Sequence, residues 1–324
     1  MSGATMKVSL GTMEMGRGPG AKESEVMIQE FMKLGHDELD TAIMYCGGDT
    51  EKILGQVLKE KKVKIACKVN PIGKNSLTAS SIKSQFNLSL SRLGLKAVDI
   101  LYLHMPDHET EINETLKGIN EVFQEKKFQR FGLSNYSSWK VMEIYQICKA
   151  KGYVLPTVYQ GMYNPITRAV EEELFPCLRR LNMSFYCYNP LAGGLLTGKY
   201  AYVGKDDPSI PKGRFRGVGG RWAAAYRERF WHKSNFEGID KIKAALSKEE
   251  KETSLVEATM RWLVHHSKMS TLAGDAIIIG ASKLNHMIEN TTSINNAKPL
   301  PEPVVVAFDE AWTMSRANCP KYFR

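Results

Sequence analysis

The 324-residue sequence lacks several features that would restrict its class or location. No apolar run approaches the roughly 18 residues that span a bilayer. The first 16 residues hold one lysine and no sustained apolar core, so we expect no secretory signal. The cysteines show no CxxC spacing and stand at positions 46, 67, 148, 177, 187 and 319. We therefore expect reduced thiols in a cytoplasmic protein, and no metal site.

The sequence also lacks a block of one charge, although its formal net charge is +9. Lysines and arginines are spread along the chain without an aromatic-interleaved basic strip, which gives little support to a nucleic-acid surface. A pocket for a small polyanion, such as a phosphorylated cofactor, needs only a few local cations. We therefore predict small-molecule partners, and neither nucleic acid nor a membrane.

Short β-rich segments alternate with periodic helical patterns along the whole chain. The eight strand candidates are Lys7–Gly11, Glu38–Asp40, Lys64–Lys68, Val98–Leu103, Arg130–Leu133, Thr157–Gln160, Ser184–Tyr188 and Ala276–Ile279. The alternation, without a Gly-x-Gly-x-x-Gly fingerprint, favours a closed parallel barrel over a doubly wound sheet. We predict an α/β fold, a (β/α)8 TIM barrel, as a single domain of residues 1–324.

Helix ends and one long insertion complete this plan. Gly35 and Gly94 follow periodic stretches and predict helix C-termini, and the stretch "SSWKVMEIYQICKAKG" opens on a serine that can cap a helix. Nearly ninety residues separate the last two strands; they hold the segment "VGKDDPSIPKGRFRGVGGR", then two helical patterns. A loop of this length is usually a lid, a binding loop or disordered. After the last helix candidate, Val304–Ser315, we expect the tail "RANCPKYFR" to return over the barrel mouth.

Ionisable side chains mark the ends of three consecutive strand candidates. Asp40 ends the second, with Tyr45 in the loop behind it; Lys68 ends the third, and His104 follows the fourth. Catalytic groups of such barrels lie at the C-terminal ends of the strands. We therefore expect these four residues to form one cluster.

The chemistry of this cluster follows from its residue types. A tyrosine with an unperturbed pKa of about 10 is a poor proton donor or acceptor at neutral pH. An adjacent ammonium lowers that pKa, and an aspartate keeps the lysine charged and oriented. A neutral histidine polarises a carbonyl by donating a hydrogen bond. Such a set suits protonation of an alkoxide as a hydride arrives.

Each residue also has an ordinary structural interpretation. Asp40 fits a strand-end cap, Lys68 a solvated cation at the barrel rim, and His104 a core histidine. Cys46, beside Tyr45, has no histidine base specified near it, which argues against a nucleophile. The agreement of four positions at one rim is what favours catalysis.

At these residues the chain resembles the aldo-keto reductases. "GHDELDTA" with "EKILG" matches the first signature of that family, and "GLSNY", "PTVYQGMYN", "YNPLAGGLLTGKY" and "GASKLNHMIEN" continue the match in order. The segments "YLHMPDH", "ELFPCLRR" and "CPKYFR" resemble the branch of aflatoxin-aldehyde and succinic-semialdehyde reductases. The resemblance covers essentially the whole chain.

This resemblance implies an NADPH-dependent reductase of aldehydes and dicarbonyls, with Asp40, Tyr45, Lys68 and His104 as the catalytic tetrad and Tyr45 as the proton donor. It also implies a homodimer. The implied cofactor-binding residues are Ser134, Asn135, Gln160, Tyr188, Asn189, Pro190, Leu191, Ala192, Gly193, Gly194, Leu195, Leu196, Thr197, Gly198, Lys199, Arg229, Gly280, Ser282, His286 and Asn290. The implied substrate-binding residues are Met13, His104, Tyr226 and Arg324.

Within these sets, Ser134, Asn135 and Gln160 would hold the nicotinamide carboxamide, with Tyr188 stacked on the ring. Residues 189–199 would wrap the pyrophosphate. The residues after the last strand, together with Arg229, would meet the 2′-phosphate. Arg324 and Tyr226 would hold the carboxylate of a substrate such as succinic semialdehyde.

Two departures from the family pattern concern substrate preference. The insertion around Gly213–Arg221 is glycine-richer and slightly longer than the branch pattern, and Cys46-Gly47-Gly48 follows Tyr45. One alternative function stays open, because the same superfamily includes cofactor-binding regulatory subunits of membrane channels. A barrel glycosidase does not fit, for want of two acidic residues at suitable strand ends.

Overall fold

A computed structural model describes residues 5–59, 61–71, 76–217, 221–250 and 252–324. Its strands are β1 Lys7–Gly11, β2 Glu38–Asp40, β3 Lys64–Val69, β4 Val98–Leu103, β5 Phe128–Ser134, β6 Pro156–Met162, β7 Ser184–Tyr188 and β8 Ala276–Gly280. Each strand pairs in parallel with the next, and β8 pairs with β1, so the sheet closes into a barrel. The predicted (β/α)8 fold is confirmed.

Helices follow the strands around the outside. They are α1 Ala21–Lys33, α2 Asp49–Val57, α3 Ala79–Leu93, α4 Ile112–Gln124, α5 Ser138–Lys151, α6 Leu174–Arg180, α7 Arg221–Phe230, α8 Lys233–Leu246, α9 Leu255–His265, α10 Leu284–Asn295 and α11 Glu302–Ser315. In the described residues, none of these helices is both long and apolar enough to cross a membrane.

The helix ends show why the sequence signals worked. Gly94 adopts the left-handed conformation that glycine favours, with φ of 66°, directly after α3. Gly35, with φ of 92°, stands just beyond α1. Ser137 caps α5 in an extended conformation, but its side chain makes no capping hydrogen bond. The predicted boundaries at these three points are confirmed to within two residues.

The insertion between β7 and β8 differs from the prediction. In the described part of the insertion, three helices, α7, α8 and α9, follow its loop, rather than the two that periodicity indicated. Residues 218–220 of the glycine-rich stretch lie outside the described residues. The loop and α7 lie beside the barrel mouth, because Tyr226 of α7 packs on Gly193 of the loop after β7.

The barrel interior is filled by a small separate cluster of side chains. They are Ala66, Ile100, Tyr102, Val158, Tyr186, Ala276 and Ile278. Gly132 allows Tyr102 to pack against the backbone, since a Cβ there would lie 2.2 Å from a ring carbon of Tyr102. The larger core lies between the barrel and the outer helices. This packing leaves the C-terminal rim of the strands for the polar cluster.

Candidate active site

The four predicted tetrad residues lie together at the C-terminal rim. Asp40 is the last residue of β2, Lys68 is the penultimate residue of β3, and His104 directly follows β4. Tyr45 begins a short 3-10 turn behind β2. The Tyr45 and His104 rings meet edge to face, with centroids 6.1 Å apart.

Lys68 is the centre of this cluster. It is fully buried, and its Nζ lies 2.5 Å from Asp40 Oδ1, forming a buried ion pair. Nζ also donates to the Thr41 carbonyl oxygen at 2.8 Å and to the Tyr45 hydroxyl oxygen at 3.4 Å. An ammonium has three protons, and these contacts use all three. Its position is therefore fixed on Asp40 and Tyr45.

The ionisation of the buried pair follows from these contacts. Burial disfavours the charged form of Lys68, but the Asp40 carboxylate and the hydrogen bonds outweigh it and raise the lysine pKa above its ordinary value. Lys68 is therefore an ammonium throughout the neutral range.

The pKa of Tyr45 departs from the sequence-based expectation. Burial raises the pKa of Tyr45 to about 12, and the Lys68 ammonium opposes this only in part. The expected net lowering by Lys68 is wrong, because desolvation of the phenolate outweighs the attraction of the ammonium. The phenol therefore stays protonated at neutral pH, although part of its surface is accessible at the mouth.

His104 is held neutral. Burial, followed by the Lys68 and Arg324 cations, lowers the pKa of His104 well below its ordinary value. Its Nδ1 is buried and makes no hydrogen bond within the described residues. A neutral imidazole at this rim has a ring N–H with which it can donate to a carbonyl oxygen.

Asn135 connects the tetrad to neighbouring strands. It follows β5 in the left-handed conformation, with φ of 63°. Its Nδ2 donates to the His104 carbonyl oxygen at 2.8 Å and to Ser134 Oγ at 3.0 Å. Its Oδ1 accepts from the Tyr188 hydroxyl at 2.7 Å. Three of the predicted carboxamide and ring-stacking residues therefore lie beside His104.

Gln160 has a contact that sequence reasoning missed. Its Nε2 donates to Asp40 Oδ2 at 2.7 Å, so both carboxylate oxygens of Asp40 are bonded. These two residues are 120 positions apart and meet only across the closed barrel. No local pattern in the sequence could have indicated this contact.

The predicted cofactor loop, residues 189–199, has unusual backbone geometry. Left-handed conformations occur at Asn189, Ala192, Gly193, Gly194 and Gly198. A Cβ built on Gly194 would meet no atom within 4 Å, so open space adjoins the backbone there. Such a loop allows close approach of a phosphate to the main chain.

The predicted adenosine end lies after β8. Gly280 and Ser282 are exposed, and Asn290 is buried on α10. Burial lowers the pKa of His286, and the cations Lys199 and Lys283 contribute in the same direction. The loop after β7 and the loop after β8 therefore jointly create a positive region.

Arg229 and Tyr226 lie nearer the mouth. The Arg229 guanidinium lies 5.7 Å from the centroid of the Tyr226 ring, and Arg214 lies 5.0 Å from the same ring. The Tyr226 hydroxyl donates to Asn189 Oδ1 at 3.3 Å. The cations that lower the pKa of His286 are two lysines and do not include Arg229. A role of Arg229 at the 2′-phosphate therefore stays a prediction.

The C-terminal tail returns over the mouth, as predicted. The backbone N–H of Arg324 donates to the Asn135 carbonyl oxygen at 3.0 Å. The Tyr322 hydroxyl accepts from the Ser138 N–H at 3.0 Å and donates to Glu173. Sequence reasoning did not predict these hydrogen bonds of the tail. The tyrosine in "KYFR" was the one signal that could have indicated them.

The remaining predicted substrate residues lie around the same opening. Arg324 Nη1 lies 3.8 Å from Met105 Sδ, next to the segment that carries His104. The Met13 carbonyl oxygen accepts from Cys46 Sγ at 3.6 Å, which places the loop after β1 beside the loop of Tyr45. The mouth is therefore bordered by the loop after β1, the tetrad, α7 and the tail.

Comparisons with known proteins identify a family and several relatives of this chain. The model of the Aldo/keto reductase family matches residues 7–313. Aflatoxin B1 aldehyde reductase member 2 of Mus musculus is 48% identical over 332 residues, covering 100% of this chain and 89% of that protein. The Homo sapiens protein of the same name is 48% identical over 322 residues, covering 97% and 89%. Aldo-keto reductase family 7 member A3 of Homo sapiens is 46% identical over 331 residues, covering 100% and 99%.

Proposed function

Because the chain belongs to the aldo/keto reductase family, we propose that it is an NADPH-dependent reductase that converts aldehydes and dicarbonyls to alcohols. Aflatoxin dialdehyde and succinic semialdehyde represent the substrate type. The printed names of the relatives, which include aflatoxin B1 aldehyde reductases, support the aldehyde class. The resemblance alone supports a homodimeric, cytoplasmic enzyme.

The hydrogen bonding of Lys68 is the observation that carries the proposal. Its third proton is directed at the Tyr45 oxygen, which accepts. The phenol proton of Tyr45 is therefore left for a substrate oxygen at the mouth. Since the pKa of Tyr45 is about 12, the proton is present at neutral pH. When it leaves, the Lys68 ammonium at 3.4 Å stabilises the phenolate.

His104 is assigned a second role at the same oxygen. Its neutral imidazole donates a hydrogen bond to the substrate carbonyl and increases the positive character of the carbon. Asn135 holds the backbone of His104 through its carbonyl oxygen. Reduction then consists of hydride addition to carbon and transfer of the Tyr45 proton to oxygen, which together give the alcohol.

The residues present fit a phosphorylated dinucleotide. The left-handed loop and the open space at Gly194 suit a pyrophosphate, and the positive region of Lys199 and Lys283 suits a 2′-phosphate. Bound NADPH would supply the hydride. Asn135 and Tyr188 would border the nicotinamide, and Asn290 the adenosine end.

For the substrate we propose an acidic group recognised at the opening. Arg324 can bind a carboxylate bidentately, and Tyr226 would add a hydrogen bond by turning its hydroxyl from Asn189 Oδ1 to the carboxylate. Met13 would form part of the wall. This assignment favours aldehydes that carry a carboxylate at the far end.

The test replaces Tyr45 with phenylalanine. Y45F should reduce aldehyde-dependent NADPH oxidation by roughly 10²–10⁴-fold, the usual range for loss of a general acid. The NADPH dissociation constant, measured by fluorescence, should be nearly unchanged. Tyr202→Phe is the matched control, because Tyr202 is exposed and lies in the insertion; it should keep full activity.

Turnover of Y45F at the wild-type rate would remove Tyr45 from the mechanism. If the wild-type protein instead binds NADPH tightly and fails to oxidise it with every aldehyde tested, that result would favour a cofactor-binding regulatory subunit.

A further inference from the structure

A second carboxylate lies in the barrel interior, one layer below the tetrad. Glu38 and Asp40 are two residues apart on β2, so both side chains point to the same face of the strand, the inside of the barrel. Glu38 Oε1 is buried and makes no hydrogen bond within the described residues. Its Oε2 accepts from the Tyr186 hydroxyl at 3.3 Å.

Charged and titratable groups face Glu38 from six strands of the barrel, including its own. They are Lys7 on β1, Asp40 on β2, Lys64 on β3, Tyr102 on β4, Arg130 on β5 and Tyr186 on β7. Arg130 Nη1 donates to the Tyr186 hydroxyl at 3.3 Å, and Lys64 is bound to Asp37 at 2.9 Å. The Tyr102 hydroxyl is buried and, like Glu38 Oε1, makes no hydrogen bond within the described residues.

This surrounding puts the ionisation of Glu38 in the neutral range. Burial raises the pKa of Glu38 to about 7; Arg130 opposes the rise, and Asp40 adds to it. His104, whose pKa lies well below its ordinary value, does not change charge in this range. The interior of the barrel therefore gains one negative charge below Asp40 as the pH rises through about 7.

We propose that Glu38 is a positioning residue whose charge controls proton transfer at Tyr45 through the Asp40–Lys68 pair. With Glu38 neutral, one carboxylate holds the Lys68 ammonium. With Glu38 ionised, a second negative charge lies below the pair and disfavours the Tyr45 phenolate, so the phenol becomes a weaker acid. This inference rests on the function proposed above.

The measurable consequence is a pH dependence of reduction. With a neutral aromatic aldehyde, kcat/KM should fall roughly tenfold between pH 6 and pH 8, because a unit charge added one layer below the Asp40–Lys68 pair shifts a coupled ionisation by about one pKa unit. The kcat/KM of Glu38→Gln should stay near the low-pH value of the wild type across this range. Glu51→Gln is the control, because Glu51 is a buried carboxylate on α2 that is bonded to Arg92. It should keep the wild-type profile.

A second variant tests the same idea if E38Q does not fold. Arg130 lowers the pKa of Glu38, so Arg130→Met should move the fall in kcat/KM to higher pH. An independent readout is stability. Because the folded pKa of Glu38 is raised above 4.5, its contribution is present below that value and lost as pH rises through about 7. The urea midpoint of E38Q should therefore rise relative to that of the wild type as the pH increases from 5 to 8.

Three results would overturn the proposal. An active wild type whose kcat/KM profile is the same as that of E38Q would refute the role of Glu38 and leave the reductase function standing. An R130M profile with no shift would do the same. Absence of turnover with every aldehyde would reject both the function and the inference.

Discussion

The buried pair of Asp40 and Lys68 makes a quantitative prediction about stability and activity together. Lys68 is fully buried, Asp40 is 3% exposed, and their charged atoms are 2.5 Å apart. Among the described residues, Lys68→Met would leave the Asp40 carboxylate with only the Gln160 amide as partner. Asp40→Asn would leave a buried ammonium without a counter-charge.

The magnitude follows from the cost of an unpaired buried charge. Each single variant should lose about 3–5 kcal/mol in free energy of unfolding. The double variant contains neither charge, so it should lie much closer to wild type than the sum of the two losses. All three variants should lose reductase activity, since each removes the ammonium or its anchor from Tyr45.

Urea unfolding at pH 7 and aldehyde-dependent NADPH oxidation are the two assays. This pH is suitable because the pKa of Lys68 is raised in the folded protein. The ion pair therefore contributes fully to the free energy of unfolding below pH 10.5, and this contribution is lost only as the pH rises through the folded pKa. Single variants that each cost less than about 1 kcal/mol, with a double equal to their sum, would show that the pair is not desolvated. That result would refute the reasoning used here for Tyr45 as well.

Two further predictions concern the two ends of the proposed ligand site. Arg324→Met should weaken apparent affinity for a carboxylate-bearing aldehyde by about 1.5–3 kcal/mol and leave a neutral aldehyde unchanged; equal losses would mean that the tail only supports structure. Substitution is better than deletion, because the Arg324 N–H donates to Asn135, and Lys321→Met is the control. NADPH should be preferred over NADH, with a preference that weakens as salt rises and that falls in Lys199→Ala or Lys283→Ala; equal efficiency with both cofactors at low salt would contradict it.

Much of the fold could be predicted because barrel strands carry strong local signals. Ser184–Tyr188 matches β7 residue for residue, and the candidate Thr157–Gln160 lies within β6, as expected for segments that hold β-branched and aromatic residues. The candidate Arg130–Leu133 was too short, since β5 continues to Phe128 and Ser134. Its outer residues pair with neighbouring strands, which only the closed sheet reveals.

The clustering of the four tetrad residues was predictable, but their energetics were not. Strand-end logic placed Asp40, Lys68 and His104 together, because neighbouring parallel strands end at one rim. The raised pKa of Tyr45 was not predictable, because burial is a property of the assembled mouth. The Gln160 contact with Asp40 likewise depends on closure and leaves no trace in local sequence.

The pairing of β1 with β8 also has a consequence for synthesis. Lys7 of β1 pairs with Ala276 of β8. One edge of β1 therefore stays uncovered until β8 has been synthesised. Asp40, Tyr45, Lys68 and His104 emerge long before the loops that would surround a cofactor. Pairing across such sequence separation is slow, and the nascent chain exposes strand edges meanwhile. We therefore expect the unfinished chain to depend on chaperones until β8 has been translated.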